Sequence, residues 1–177
     1  YPNRQDKFTG DFIQRHAQAV SQYCKVEVIF VKKDESLLPN ATVTENTIHG
    51  NLSEKIVYYN SYKTNFKILD RAISFLNYKK HYRNAVKQYF NQEGKPKYVH
   101  VHVAMYAGIA AMWIKKKWNI PYFVTEHWVG YYRECVPSIY DSSYLFRLLN
   151  KQILKEAALF FPVTKDLGEI VKRDFAN

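Results

Sequence analysis

Between Lys97 and Trp128 the chain spells strand, helix and strand in about thirty residues, the span of a βαβ unit. Lys97–Val103 (KYVHVHV) alternates Val with His and Tyr, the period-two pattern of a strand. Met105–Trp118 is Ala-rich, holds Gly108 and ends near three consecutive lysines, which reads as a helix. Pro121–Thr125 is a short apolar run, and a proline is tolerated where a strand starts. Two strands joined by a crossover helix must run parallel, so the rest of the chain has to supply an α/β layer structure around them. In open parallel sheets ligands lie outside the carboxyl ends of the strands. His102, Glu126 and His127 stand at two such ends and are the first candidates for chemistry.

The remaining sequence sustains the alternation. Asp11–Gln22 carries Phe12, Ile13, His16, Ala17 and Val20 at helical spacing, and Asp11 with Gln14 suggests a capping box after Gly10. Val26–Val31 reads as a strand, and Lys32–Asn40 as a polar loop. Val43–His49 and Lys55–Tyr59 read as strands of a hairpin about Gly50-Asn51. Phe66–Phe90 is the longest helical pattern, with Leu69, Ala72, Ile73, Leu76, Tyr82, Val86 and Tyr89 as its apolar stripe. Lys67, Arg71, Lys80, Arg83 and Lys87 form a basic outer face, and Gly94-Lys95-Pro96 ends the helix. Asp141–Glu156 is expected as a helix capped by Asp141, with Leu145, Leu148, Leu149 and Ile153 inward. Ala158–Val163 is the last strand, and Thr164 caps a helix running to about Phe175.

Composition bounds the partners. The 177 residues carry a formal charge of +10, which calls for a polyanionic partner: nucleic acid, an anionic membrane or a phosphorylated small molecule. No nucleic-acid module is visible. No run approaches the roughly 20 apolar residues of a membrane-spanning helix. Cys24 and Cys135 make neither a disulfide framework nor a metal-binding CxxC pair, and the expected compartment is the reducing cytoplasm.

With its elements placed, the sequence resembles the N-terminal domain of family 4 (group 1) glycosyltransferases of the GT-B fold. Four segments carry the likeness: Tyr1–Gly10 with the helix after it, Val99–His102 (VHVH) followed by Gly108, Ile120–His127 (IPYFVTEH), and Phe161–Thr164 (FPVT) followed by Leu167. The resemblance implies a Rossmann-like, mostly parallel sheet with helices on both faces, the acceptor-side half of a two-domain enzyme spanning 1–177. It implies transfer of a sugar from a nucleotide-sugar to a carbohydrate or lipid-linked acceptor, with retention of anomeric configuration, in bacterial surface polysaccharide synthesis. No metal and no cofactor beyond the nucleotide-sugar donor is implied. The acidic E-x7-E signature of the C-terminal nucleotide-sugar domain is absent from this sequence, and the chain is expected to be an inactive fragment.

The resemblance sets roles beside simpler readings. Gly10 would face the donor diphosphate at a helix N-terminus, or is an ordinary turn glycine. His127 would contact the donor sugar near the anomeric carbon, where an imidazole can donate to a hydroxyl or a developing charge. Glu126 would stabilise an oxocarbenium-like state, or simply pair with an Arg or Lys. Glycoside hydrolysis requires two facing carboxylates, and only this one is well placed. His102 would line the cleft, while His100 is structural; two residues apart, they share a face without a third metal ligand at suitable spacing. Lys115, Lys116 and Lys117, with the basic face of Phe66–Phe90, would meet an anionic membrane, making the protein cytoplasmic and peripheral on the inner membrane face. The alternative function is a non-catalytic basic Rossmann-like module that binds a phosphorylated ligand or an anionic membrane. The family's central first strand is missing, so irregular pairing is expected beside Val26–Val31 and Val99–Val103.

Overall fold

Every expected strand and helix forms, in two compact units divided after Gly94, in a computed structural model that describes residues 1–175. In the first unit the loop 1–10 leads into α1 (Asp11–Ser21). Strands β1 (Val26–Lys33), β2 (Thr42–His49) and β3 (Leu52–Tyr59) follow, then the long α2 (Lys67–Glu93). The sheet order is β1-β3-β2. β3 runs parallel to β1, from Val26↔Leu52 to Lys33↔Tyr59, and antiparallel to β2, which it joins through the Gly50-Asn51 turn. β3 starts three residues before the expected Lys55 because pairing with β2 carries the ladder up to the turn. As the middle strand it is almost wholly buried, whereas β2 is exposed along its whole length.

Two expectations for this unit are corrected. The cap of α1 is Gly10, with no side-chain hydrogen bond. Gln14 instead donates to Glu54 Oε1 at 2.8 Å, and Asp11 pairs with Arg15 one turn on, so no capping box forms. The apolar stripe of α2 is buried only at its middle, through Tyr82, Ala85 and Val86; Leu69 and Leu76 are exposed. Length explains this. A 27-residue helix spans about 40 Å, while the eight-residue strands beneath it reach only about 26 Å. Its first two turns therefore run on beyond the sheet, whose end is marked by the Tyr59 hydroxyl donating to the Ser74 carbonyl.

The second unit contains β4 (Val99–His102), α3 (Ala107–Trp118), β5 (Tyr122–Glu126), α4 (Tyr144–Glu156), β6 (Leu159–Pro162) and α5 (Lys165–Asp174). All three strands are parallel, in the order β4-β5-β6. Val101, Tyr122 and Val124 pack with Ala111, Ile153, Leu167 and Val171 of the flanking helices. Thr164 caps α5 as expected, accepting the Leu167 N–H at 3.1 Å. α4 starts later than expected. Its cap is Ser143, which accepts the Phe146 N–H at 3.3 Å, while Asp141 closes a separate 3-10 turn. The buried face of α4 is Asn150, Ile153 and Leu154, leaving Leu145 and Leu148 exposed. Among the described residues β1 pairs only with β3 and β4 only with β5, so each of these two strands has a single neighbour.

Candidate functional site

Side-chain alternation divides the ends of β4 and β5 into two faces. Val101, Tyr122, Val124 and Glu126 point to the helix-covered core; His100, His102, Phe123 and Thr125 lie on the other face. On that second face the histidines meet. The His100 and His102 rings lie 4.3 Å apart between centroids, and His102 and His127 stack at 5.6 Å with 22° between their planes. His102 Nδ1 lies 3.4 Å from His127 Nε2, and His100 Nε2 lies 2.7 Å from the Thr125 hydroxyl. The structure thus brings His102 and His127 together, partly exposed, at the carboxyl ends of neighbouring parallel strands. There an imidazole can donate or accept a hydrogen bond.

The expected pairing of Glu126 with an Arg or Lys is corrected. Its side chain is fully buried, and its partners are neither Arg nor Lys. Oε1 accepts the backbone N–H groups of His127 (3.0 Å) and Trp128 (2.9 Å). Oε2 accepts the Ala104 N–H (2.9 Å) and lies 3.1 Å from the Tyr131 hydroxyl. Burial raises the Glu126 pKa, and the four donors act against that shift. Tyr131 reaches on to Asn150 Oδ1 at 3.0 Å, inside α4. Between His102 and Ala104, Val103 holds a left-handed φ of +65°, rare for a β-branched residue.

Sequence reading missed Tyr131 and Asn150. The signal for Asn150 was its spacing from Phe146 and Leu154, one turn either side, which puts it in the inward stripe despite its polarity. For Glu126 the signal was its phase with Tyr122 and Val124.

Gly10 belongs to the first unit. It has a φ of +69°, and a Cβ there would lie 2.5 Å from the Tyr1 nitrogen, so the turn itself demands glycine. The lysine cluster is less free than expected. Lys115 donates to the Glu156 carbonyl at 2.6 Å, satisfying the end of α4, and Lys117 lies 4.8 Å over the Trp118 ring. Lys116 is exposed. No helix among the described residues is long and apolar enough to cross a membrane.

Comparison with known families matches residues 69–176 to the profile described as a glycosyl transferase 4-like domain. The matched stretch contains the whole His102–His127 site. No curated protein matches the chain.

Proposed function

The chain belongs to the glycosyl transferase 4-like family, and from that membership we propose that it forms the acceptor-side half of an enzyme that moves a sugar from a nucleotide-sugar to a carbohydrate or lipid-linked acceptor. The observation that carries this reading is the His102–His127 pair at the ends of β4 and β5, inside the matched region. His127 donates to the donor sugar or to charge developing at its anomeric carbon, and His102 fixes the His127 ring by stacking against it. The anomeric configuration is kept. The acceptor belongs to bacterial surface polysaccharide synthesis. The test is transfer from a panel of nucleotide-sugars by the full-length protein. There His127→Ala lowers kcat by roughly a hundredfold, the usual scale for one positioned acid-base or electrostatic group. An unchanged rate overturns the assignment.

A lipid-linked acceptor would bring the protein to an anionic membrane. The first half of α2 supports this, since Phe66, Ile68 and Leu76 are exposed among Lys67, Arg71 and Lys80. Apolar anchors beside basic residues are the composition of an interfacial helix. This surface suits the role better than Lys115–Lys117, two of which already have partners in the fold.

A further inference from the structure

The buried Glu126–Tyr131–Asn150 chain poses a counting problem. Tyr131 has one hydroxyl proton but two acceptors in reach, Glu126 Oε2 at 3.1 Å and Asn150 Oδ1 at 3.0 Å. Asn150 Nδ2, meanwhile, is buried without a hydrogen-bond partner. Which end of an asparagine amide is oxygen follows from the hydrogen-bond network. Turning the Asn150 amide over resolves the first difficulty and gives Nδ2 a partner, with the amide oxygen taking the buried position that Nδ2 held. Nδ2 then donates to the Tyr131 oxygen, and Tyr131 donates to Glu126. Every proton in the chain points one way, toward an ionised carboxylate that also accepts three backbone N–H groups. A protonated Glu126 would set its own hydrogen against one of those donors.

We propose that Glu126, Tyr131 and Asn150 form a buried brace that fixes the His102–His127 pair, making Glu126 a positioning residue. The carboxylate ties together three pieces of backbone: Ala104 just after β4, His127 and Trp128 just after β5, and, through Tyr131, the face of α4. The Ala104 bond also holds the left-handed turn at Val103, which follows His102 directly. A residue held in such a conformation persists only where its surroundings over-determine it. Glu126 therefore sets the backbone on both sides of the pair while its own oxygens face away from it. The functional part of this inference rests on the proposed transferase reading; the brace itself does not.

The test replaces Glu126 by Gln in the full-length protein and reads amide exchange residue by residue beside kinetics. A Gln oxygen kept at the Oε1 position still accepts His127 and Trp128, but its NH2 group then faces the Ala104 N–H. Ala104 exchange is expected to accelerate at least tenfold. kcat is expected to fall about tenfold or more with donor KM within about threefold, because small displacements of a reacting group are costly. Tyr131→Phe keeps the carboxylate and should produce the same two changes at about threefold; it decides the question if Glu126→Gln does not fold. Unchanged Ala104 exchange in a folded variant overturns the brace. Loss of kcat with Ala104 exchange unchanged does so too, and would return Glu126 to the reacting centre. Failure of the transferase reading is separately visible as an unchanged rate in His127→Ala, and the exchange measurement still decides the brace.

Discussion

Replacing Gly108 by Ala is expected to destabilise the second unit, although Ala is the better helix former by about 1 kcal/mol. Gly108 is buried near the start of α3, against Ile153 of α4, which is itself fully buried. A Cβ at Gly108 would lie 3.0 Å from Ile153 Cδ1 and 3.1 Å from Cγ1, with Cγ2 closer still. Carbon pairs prefer about 3.5–4.0 Å, so one helix must retreat. Retreat of α4 pulls on the bond from the Tyr122 hydroxyl to the Ile153 carbonyl, 2.6 Å long in the core. Overpacking of this kind costs about 1–3 kcal/mol, and after the propensity gain we expect a net loss of about 1–2 kcal/mol. Ile153→Ala alone should cost about 2–5 kcal/mol through the cavity it leaves. Combined, the two changes should cost at least about 1 kcal/mol less than their sum, since the new methyl enters the vacated space. Urea unfolding followed by tryptophan fluorescence reports this unit directly, because Trp113, Trp118 and Trp128 all lie in it. A Gly108→Ala variant as stable as wild type, or strict additivity in the double variant, would refute the packing argument.

Acid should weaken the first unit. The Ser36 hydroxyl and the Arg4 guanidinium hold the buried Asp34 carboxyl well below the usual carboxylate range, and Lys33 and Lys63 bring Glu35 down to about 2. Depressed carboxylates stabilise the fold above their unfolded pKa of about 4, and that contribution is lost as pH falls through the folded values. The thermal midpoint should therefore drop from about pH 4 towards pH 2; an equal acid slope in Asp34→Asn would exclude Asp34 as a source. Val103→Asn should raise stability by about 1 kcal/mol, because Asn tolerates the left-handed region, and a loss in denaturant titration would show that Val103 is not strained. Binding to vesicles containing anionic lipid should weaken with salt and fall more in a Phe66→Ser, Ile68→Ser double variant than on neutralising Lys115–Lys117. Equal binding to neutral vesicles would refute the electrostatic part.

Local patterns carried much of the fold. The period-two run of β4, the apolar run of β5, the Gly50-Asn51 turn, the Thr164 cap and the crossover at 105–118 are short-range features whose physics needs only neighbouring residues. They sufficed to put His102, Glu126 and His127 at strand ends. Which way those residues face was also written in the alternation, since Glu126 is in phase with Tyr122 and Val124, but a carboxylate in an apolar face is recognisable only by the donors that meet it. Those donors come from Ala104, Trp128 and Tyr131, and Asn150 of α4 stands behind Tyr131. Likewise the uncovered start of α2 follows from its length relative to the strands below it, and Gly108 from the approach of Ile153. The sequence by itself determined the elements, their order and the strand-end position of the site, because periodicity and capping are local. Only the tertiary structure decided the partners of each buried polar group and the surface left bare, because burial depends on what another part of the chain brings to each face.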